Sequence, residues 1–501
     1  MSKGIKRAAL GLTLCFFILS GGLAYWQIIA SAQLLAKPGN LRSVYLEQQI
    51  WRGGIFDRNG EILAKSYSPA DAAKILGHPI EAAITRPGDN YPQQVVLFPQ
   101  GDAFTHIVGT YSFIYGRSGL EASLNQILLG LGPGESVQSH AGQLLKTQRR
   151  GNDVVLTLDS KIQSAGVQAF KGKLGAAVAI APKTGQILAM ISSPTFDPNQ
   201  LDNAYSTIAK TGNQVFVNKA ISSLYPPGSV MKLVTSGGLL RSGLDVNALY
   251  DDTGHARVTQ NGQSRDVVEI YKNGLGEINF FDALAKSSNT YFATRSALAG
   301  AEQFLAAAQR FGFGQRIPLS EFADSNNGVL PSSITKDGVP NALSLGQLMD
   351  SSYGQGQVQV TPLHEAMICA AVANNGVMMR PALVERVLNP AQQTIYRLQP
   401  KVWLTPLTPQ EAGLIRQGMQ DAVVHGTAQG LAISGVDLAA KTGTAEVGGP
   451  IKTTDGWFIA FAPAADPLIA VAVVVENGES GSGAAGPIAR DMILAALRES
   501  R

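Results

Sequence analysis

The stretch YPPGSVMKLVTS at residues 225–236 organises the rest of this chain. Its two prolines and glycine predict a sharp turn, and proline is favoured at a helix start because it has no N–H to lose there. We therefore expect a helix to begin at about Ser229. Lys232 follows three residues later, so the hydroxyl and the amine should lie on one helix face.

The residues around Lys232 are apolar, which indicates a buried helix: Val230, Met231, Leu233 and Val234. Burial removes the hydration of an ammonium group and lowers the pKa of a lysine. A neutral amine beside a serine hydroxyl is a general base beside a nucleophile. The helix N-terminus adds unpaired N–H groups and positive potential next to the attacked carbon.

The alternative is that Ser229 caps the helix and Lys232 reaches solvent. The same Ser-x-x-Lys spacing occurs at residues 333–336, between Pro331 and Gly338. No apolar helix follows there, so we interpret that copy as a loop. The spacing alone decides nothing, and the apolar helix behind Ser229 favours the nucleophile.

Composition limits the class of protein. A chain of 501 residues with 45% hydrophobic residues predicts two or three domains with a sizeable core. The net charge of +3 is small and dispersed, which argues against a nucleic-acid partner. Cys15 and Cys369 are not expected to pair, and six scattered histidines predict no metal site.

Residues 8–29 form an uncharged apolar run, about the length that spans a bilayer. Three basic residues precede it, Lys3, Lys6 and Arg7, and the positive-inside rule then places residues 1–7 in the cytoplasm. A cleaved signal peptide is the alternative, because residues 30–32 resemble a cleavage site. The run exceeds a usual signal core, so we favour an uncleaved transmembrane anchor at 8–30, with everything after it outside.

Residues 31–150 are rich in glycine and proline and contain no dense catalytic cluster. Within them, Asp57-Arg58-Asn59-Gly60 predicts a turn between two strands. We interpret this segment as a small, irregular, β-rich module that holds the next domain away from the membrane.

Residues 151–501 predict one α+β domain. The first two strands, 176–181 and 186–193, form a hairpin. Three more strands come near the end, at 436–444, 457–462 and 468–475, before a final helix at 487–497. Strands at both ends and helices between them imply one mixed sheet whose first and last segments pair.

Lys441-Thr442-Gly443-Thr444 ends the first of these late strands. A glycine within a strand marks the close approach of a ligand or another backbone. Lysine and threonine here could bind a carboxylate, and the Thr444 N–H could face an acyl oxygen. Lys-Thr-Gly also occurs at residues 183–185, a hairpin tip, and at 210–212, a polar loop. Only the copy at 441 lies on an apolar strand.

Ser287-Ser288-Asn289 stands between two apolar, helix-prone segments, where it can point a hydroxyl and an amide into a cleft. The simpler interpretation is a helix cap. Residues 123–125 and 325–327 share the Ser-x-Asn spacing without that context.

Ser-x-x-Lys, Ser-x-Asn and Lys-Thr-Gly occur in that order, the motif set of penicillin-binding proteins and class A β-lactamases. Together with residues 52–60 (RGGIFDRNG), 354–356 (GQG), 361–363 (TPL) and 456–458 (GWF), the chain resembles a class B penicillin-binding protein over nearly its whole length. Ser288 stands where that family often has Asp or Cys, a variable position.

The resemblance implies a role for each motif residue. Ser229 would attack the carbonyl between the two terminal D-alanines of a stem peptide, and Lys232 would take its proton. Ser287 would pass that proton to the departing D-alanine, and Asn289 would hold Lys232. The terminal carboxylate would lie on a strand segment formed by Lys441, Thr442, Gly443 and Thr444, with the N–H groups of Ser229 and Thr444 as the oxyanion hole.

The resemblance also implies the architecture and partners. It predicts a penicillin-binding, β-lactamase-like domain, an antiparallel sheet flanked by helices, on the small N-terminal module. It implies no cofactor, β-lactams as covalent inhibitors, and a multi-span glycosyltransferase of the shape, elongation, division and sporulation family as partner. The anchor and the N-terminal module would contact that partner.

Two other interpretations stay open at this point. One is a β-lactamase or D,D-carboxypeptidase on the same fold, and the other is a catalytically idle β-lactam-binding scaffold or sensor. A lactamase would need an activated water to release the penicilloyl group, and a scaffold would not need Ser229.

Overall fold

The computed structural model describes residues 3–26, 47, 50–77, 94–112, 114–132, 149–260, 262–322, 325–326, 328–330, 343–447 and 453–499. The chain divides into two compact units. The first comprises Met1–Gly53, Ser66–Val96 and Gln126–Asn152, and the second comprises Gly54–Lys65, Leu97–Asn125 and Asp153–Arg501. The domain limits that we expect from the sequence stay predictions. The Ser-x-x-Lys copy at 333–336 lies outside the described residues.

The helices are α1 (Lys3–Ala24), α2 (Pro69–Leu76), α3 (Thr105–Val108), α4 (Gly119–Ser123), α5 (Asn125–Leu128), α6 (Ser160–Phe170), α7 (Leu201–Lys210), α8 (Lys219–Ser222), α9 (Lys232–Arg241), α10 (Phe280–Ala285), α11 (Asn289–Ala299), α12 (Ala301–Arg310), α13 (Leu345–Ser352), α14 (Pro362–Ala373), α15 (Pro409–Val424) and α16 (Gly486–Glu499).

The strands are β1 (Ile50–Trp51), β2 (Ile55–Phe56), β3 (Ile62–Tyr67), β4 (Val95–Leu97), β5 (Tyr111–Ser112), β6 (Gly116–Arg117), β7 (Arg149–Arg150), β8 (Asp153–Leu156), β9 (Gly175–Ile180), β10 (Ile187–Ser193), β11 (Tyr250–Asp252), β12 (His255–Gln260), β13 (Gln263–Val268), β14 (Gly276–Ile278), β15 (Met378–Met379), β16 (Val384–Leu388), β17 (Thr394–Arg397), β18 (Val402–Leu404), β19 (Ala439–Val447), β20 (Thr453–Ala462) and β21 (Ile469–Val475).

In the first unit, helix α1 has 22 residues and no acidic residue in its first turn. A helix rises 1.5 Å per residue, so α1 is about as long as the hydrocarbon core of a bilayer is thick. It is apolar enough to cross a membrane. Further along the same unit, β1 pairs in parallel with β7, and Ile50 packs with Leu129 and Leu131 in a small core.

The second unit is built on a five-stranded sheet in the order β10-β9-β21-β20-β19. These are the five strands that the sequence predicts, and the first and last segments pair as expected, through β9 and β21. Every pair in this sheet is antiparallel, so the mixed sheet inferred from the strand order is wrong, and the antiparallel sheet flanked by helices that the family resemblance implies is confirmed. Three connections, β9 to β10, β19 to β20 and β20 to β21, join neighbouring strands directly, and this gives these three pairs their antiparallel direction.

Helices cover this sheet and supply its core. Alternate strand residues face α6 and α16, where Phe170, Phe458, Val473 and Met492 are buried together. Helix α14 packs against β9, β20 and β21, and all of its residues are buried. A helix with apolar residues on nearly all of its faces is expected to lie inside a domain, as α14 does.

The predicted turn at residues 57–60 is confirmed, since it joins β2 to β3 in the second unit. Asp57 is buried and accepts hydrogen bonds from three backbone N–H groups, those of Asn59 and Glu61 at 2.8 Å and Ser160 at 3.0 Å. Ser160 begins α6, so Asp57 also fixes the start of a core helix. These bonds make Asp57 a structural residue of the second unit.

One buried acid in α14 has no evident structural use. Glu365 is fully buried, and neither carboxyl oxygen has a hydrogen-bond partner among the described residues. Burial disfavours the charged form and raises the pKa of Glu365 from 4.5 to about 8. The folded state therefore holds a proton that the unfolded chain releases between these two values, so this group makes stability fall as pH rises from about 5 to 8.

We predict that Glu365→Met raises the melting temperature at pH 8 more than at pH 5. The gain in the free energy of unfolding at pH 8 should exceed the gain at pH 5 by up to roughly 4 kcal/mol, given the size of the pKa change. Differential scanning fluorimetry of the full chain in detergent at both pH values measures it. Glu277→Gln, at an exposed strand position, is the matched control and should leave the pH dependence unchanged. An equal gain at both pH values would contradict a buried, titrating carboxyl.

Candidate active site

The turn before Ser229 is fixed from three sides. The Gly228 N–H donates to the carbonyl oxygen of Gly354 at 2.9 Å, and the Trp457 indole N–H donates to that of Pro226 at 2.9 Å. Tyr225 exchanges backbone hydrogen bonds with Val360. These hydrogen bonds fix the backbone that carries Ser229.

Gly228 is required by its conformation and by its surroundings. Its φ is +55°, and a Cβ there would lie 2.6 Å from the carbonyl oxygen of Thr444. Because the turn is so tight, Gly228–Met231 forms a 3-10 helix, and the α-helix begins at Lys232. A helical turn therefore begins near Ser229, as predicted, but it is a 3-10 turn and not the first turn of the α-helix.

Lys232 is fully buried, and its amine lies among four oxygen atoms. Its Nζ is 2.6 Å from the carbonyl oxygen of Ser287, 2.7 Å from Oδ1 of Asn289, 3.0 Å from Oγ of Ser229 and 3.2 Å from Oγ of Ser287. The carbonyl oxygen of Ser287 and the amide oxygen of Asn289 can only accept hydrogen bonds, so two N–H groups of Lys232 donate to them. A neutral amine then keeps its lone pair for the hydroxyl proton of Ser229.

Burial lowers the pKa of Lys232 to about 7, against the opposing attraction of the Glu269 and Asp252 carboxylates. At that value a large share of the amines is neutral near pH 7. This is the protonation state that a general base needs. The predicted loss of hydration around Lys232 is therefore borne out by its surroundings.

The polar trio 287–289 lies between α10 and α11, as the sequence predicts. Ser288 caps α11, since its hydroxyl accepts the N–H of Tyr291. Ser287 takes the left-handed φ of +63°, which is uncommon for a non-glycine residue and aims its carbonyl and hydroxyl oxygens at Lys232. Both interpretations of the trio hold together: Ser288 is the cap, and Ser287 and Asn289 face the amine.

Strand β19 forms the opposite wall and lies at the edge of the central sheet. Lys441 is fully buried, and its amine donates to Oγ of Ser287 at 2.8 Å and to the carbonyl oxygen of Thr442 at 2.8 Å. Burial is the main reason that the pKa of Lys441 lies well below its usual value, and repulsion from Lys232 lowers this pKa further. Ser287 Oγ thus lies between the two amines.

The rest of the strand segment packs on the nucleophile turn. A Cβ on Gly443 would lie 3.1 Å from a methyl of Val230 and 3.2 Å from the carbonyl oxygen of Pro227, so a side chain would push the strand away. Thr444 is partly exposed beside Gly228. As an edge strand, β19 offers outward backbone groups to an extended peptide.

Three other copies of the short motifs fall within the described residues, and they lie elsewhere in the fold. Lys183 lies on the β9–β10 turn and forms an exposed ion pair with Asp466, and residues 210–212 begin with the last residue of α7 and lie at the surface. Residues 123–125 join α4 and α5. Tertiary structure therefore brings together Ser229, Lys232, Ser287, Asn289 and the segment 441–444.

Three residues near the site carry no sequence signal that we recognised. Thr427 Oγ1 accepts a hydrogen bond from Oγ1 of Thr442 on β19 at 2.7 Å. Asp252 and Glu269 are buried, and both carboxylates contact the hydroxyl of Ser288. They lie in a segment of exposed strands, where isolated acidic residues are common.

Comparison with known proteins identifies the family. Residues 175–494 match the penicillin binding protein transpeptidase domain, and residues 85–154 match the penicillin binding protein A dimerisation domain. The chain belongs to the penicillin-binding protein transpeptidase family. The predicted class B penicillin-binding protein and its serine-type acyl-transferase class are confirmed with it.

Relatives of known name share most of the chain. The peptidoglycan D,D-transpeptidase PbpA of Mycolicibacterium smegmatis is 31% identical, with all of both chains covered. The peptidoglycan D,D-transpeptidase MrdA of Acinetobacter baumannii is 31% identical over 78% of this chain and 65% of its own. The ceftriaxone acyl-enzyme of penicillin-binding protein A from M. tuberculosis superposes with a TM-score of 0.76 at 29% identity, covering 90% of this chain and 99% of that one.

We predict that acylation of this penicillin-binding protein by a penicillin accelerates as pH rises, with a midpoint near pH 7. The base must be neutral, and the pKa of Lys232 is about 7. Stopped-flow labelling from pH 5 to 9, with a β-lactam whose own ionisation lies outside this range, measures the rate. A flat profile would show that Lys232 is not the titrating base.

Proposed function

We propose that this chain crosslinks peptidoglycan stem peptides through an acyl-enzyme on Ser229, and that β-lactams acylate the same serine. One contact carries the proposal. The amine of Lys232 lies 3.0 Å from Oγ of Ser229, while two acceptor oxygens occupy its N–H groups. A hydroxyl beside a buried, partly neutral amine is an activated nucleophile.

In acylation, Lys232 takes the hydroxyl proton while Ser229 Oγ bonds to the carbonyl carbon between the two terminal D-alanines. The C–N bond then breaks, and the leaving amine takes a proton by way of Ser287, whose Oγ is 3.2 Å from the Lys232 amine. Asn289 holds that amine throughout through its amide oxygen. One proton leaves the serine and one arrives on D-alanine, so the step balances.

The strand segment 441–444 would bind the acidic end of the donor peptide. Thr442 and Thr444 are two residues apart on β19, so their hydroxyls lie on one face of the strand, while the Lys441 amine donates to Oγ of Ser287. The N–H groups of Ser229 and Thr444 would stabilise the oxyanion. Loss of one such donor typically costs about 10²–10³ in rate.

A transpeptidase then passes the acyl group to an amine. The neutral base regenerated at Lys232 can accept a proton from the amine of a second stem peptide as the new C–N bond forms. The ester C–O bond then breaks, and the Lys232 amine returns that proton to Oγ of Ser229, 3.0 Å away. This order of steps agrees with the transpeptidase names of the M. smegmatis and A. baumannii relatives. A lactamase or carboxypeptidase would instead deliver water at this point.

We predict that Ser229→Ala abolishes covalent labelling by penicillin, because alanine has no hydroxyl to form the acyl ester. Intact-mass spectrometry of the full chain in detergent, followed by peptide mapping, measures the adduct and locates it. Ser333→Ala changes the other Ser-x-x-Lys copy and is the matched control, with labelling expected to stay complete. An adduct on Ser229→Ala would refute the assignment. Loss of the adduct within seconds from the unaltered chain would indicate a lactamase.

We also propose that α1 is a single-pass anchor, with its N-terminus in the cytoplasm and the catalytic unit outside. The basic residues before the apolar run, and the run itself, support this orientation. A multi-span glycosyltransferase is the partner that the family resemblance suggests, in contact with the anchor and the N-terminal module.

We predict that replacing residues 8–30 by an unrelated membrane-spanning helix keeps penicillin labelling but lowers activation of the co-reconstituted glycosyltransferase at least several-fold. The catalytic residues stay unchanged, whereas the anchor's partner-facing surface is lost. A membrane-impermeant fluorescent penicillin on spheroplasts and a lipid II polymerisation assay give the two readouts. Labelling only after membrane permeabilisation would contradict the orientation, and unchanged polymerisation would contradict the anchor contact.

A further inference from the structure

A buried acidic pair lies behind the middle motif. Asp252 is 1% exposed and Glu269 is 6% exposed. Asp252 Oδ2 accepts from the hydroxyl of Ser288 at 2.8 Å, and Glu269 Oε1 lies 2.9 Å from the same hydroxyl. One hydroxyl carries one proton, so the two carboxylates compete for it. Two buried carboxylates on one hydroxyl are costly, and such an arrangement calls for a role.

Each carboxylate is also held by a backbone donor of its own. The Gly254 N–H donates to Oδ1 of Asp252 at 3.0 Å, and the Thr290 N–H donates to Oε1 of Glu269 at 2.6 Å. Through these hydrogen bonds the two carboxylates hold Ser288 and the first turn of α11 in position. Ser287 and Asn289, the residues on either side of Ser288, are the ones that contact the Lys232 amine.

The pair also acts on Lys232 through charge. The ionisable groups that face this amine are Lys441 on β19, and Asp252 and Glu269 behind the trio. Burial lowers the pKa of Lys232, and the two carboxylates oppose that fall. Neither carboxylate contacts Ser229 or the strand segment 441–444 through a hydrogen bond that the structure describes.

We propose that Asp252 and Glu269 are positioning residues for acylation. Through Ser288 they hold Ser287 and Asn289 against the Lys232 amine, and their negative charge sets how readily that amine takes the serine proton. This inference rests on the proposed role of Lys232 as the base, and it assigns to the acidic pair a function that the three motifs do not include.

Asp252→Asn and Glu269→Gln test the proposal, because each keeps shape and removes charge. Without a carboxylate the amine becomes neutral at lower pH, so the acid limb of the acylation profile moves to lower pH. We expect the ratio of the rate at pH 5.5 to that at pH 8 to rise roughly three-fold or more, while the rate at pH 8 falls because the base is weaker. Stopped-flow labelling of the full chain in detergent measures both.

Asp350→Asn is the matched control. Asp350 anchors the neighbouring strand β13 through both oxygens, at 2.8 and 2.9 Å from the Arg265 guanidinium, yet it does not act on Lys232. If the acidic pair only held this region in place, Asp350→Asn would reproduce its effect. We expect the pH 5.5 to pH 8 ratio to stay unchanged in this variant.

An acid limb that stays in place in both amide variants would overturn the proposal, and so would an equal movement of the limb in Asp350→Asn. Failure of both amide variants to fold would also overturn it, because the acidic pair would then serve the stability of the fold. Failure of the base role itself is distinguishable. It would appear as a flat profile in the unaltered chain, or as full labelling of Lys232→Met.

Discussion

The burial of one amine governs this structure. Lys232 lies inside the protein with its N–H groups on Ser287 and Asn289, and the remaining position of its nitrogen faces the hydroxyl of Ser229. Desolvation makes the neutral form accessible near pH 7, and the fixed acceptors decide where the lone pair points. The protonation state of the amine and the direction of its lone pair are therefore both set by the groups packed around one nitrogen.

The other elements shield the Lys232 amine from water and hold it in position. The 3-10 turn of residues 228–231 brings Ser229 against the edge strand β19, and glycines at 228 and 443 allow the two backbones to touch. A second buried amine, that of Lys441, shares the Ser287 hydroxyl with the first. Two amines cannot both stay charged so close together in a dry site, which favours at least one neutral amine.

Much of this arrangement is visible in the sequence. The five strands of the central sheet, the helices on either side of 287–289 and the apolar helix behind Ser229 follow from periodicity, turns and caps. Two details were misjudged. The strand order alone suggested a mixed sheet, whereas the central sheet is antiparallel throughout, as the family resemblance implies. The first turn after Gly228 is a 3-10 helix and not the start of the α-helix.

The sequence by itself determined the local partners, above all the Ser229 and Lys232 pair, because a helix places residues three apart on one face whatever surrounds it. Only the tertiary structure decided which Lys-Thr-Gly and Ser-x-Asn copies meet that pair, since contacts across 55 to 154 positions depend on sheet order and helix packing. It alone placed Thr427, Asp252 and Glu269 at the site. None of the three stands in a recognisable motif, and burial that comes from distant segments gives no periodic signal in the sequence.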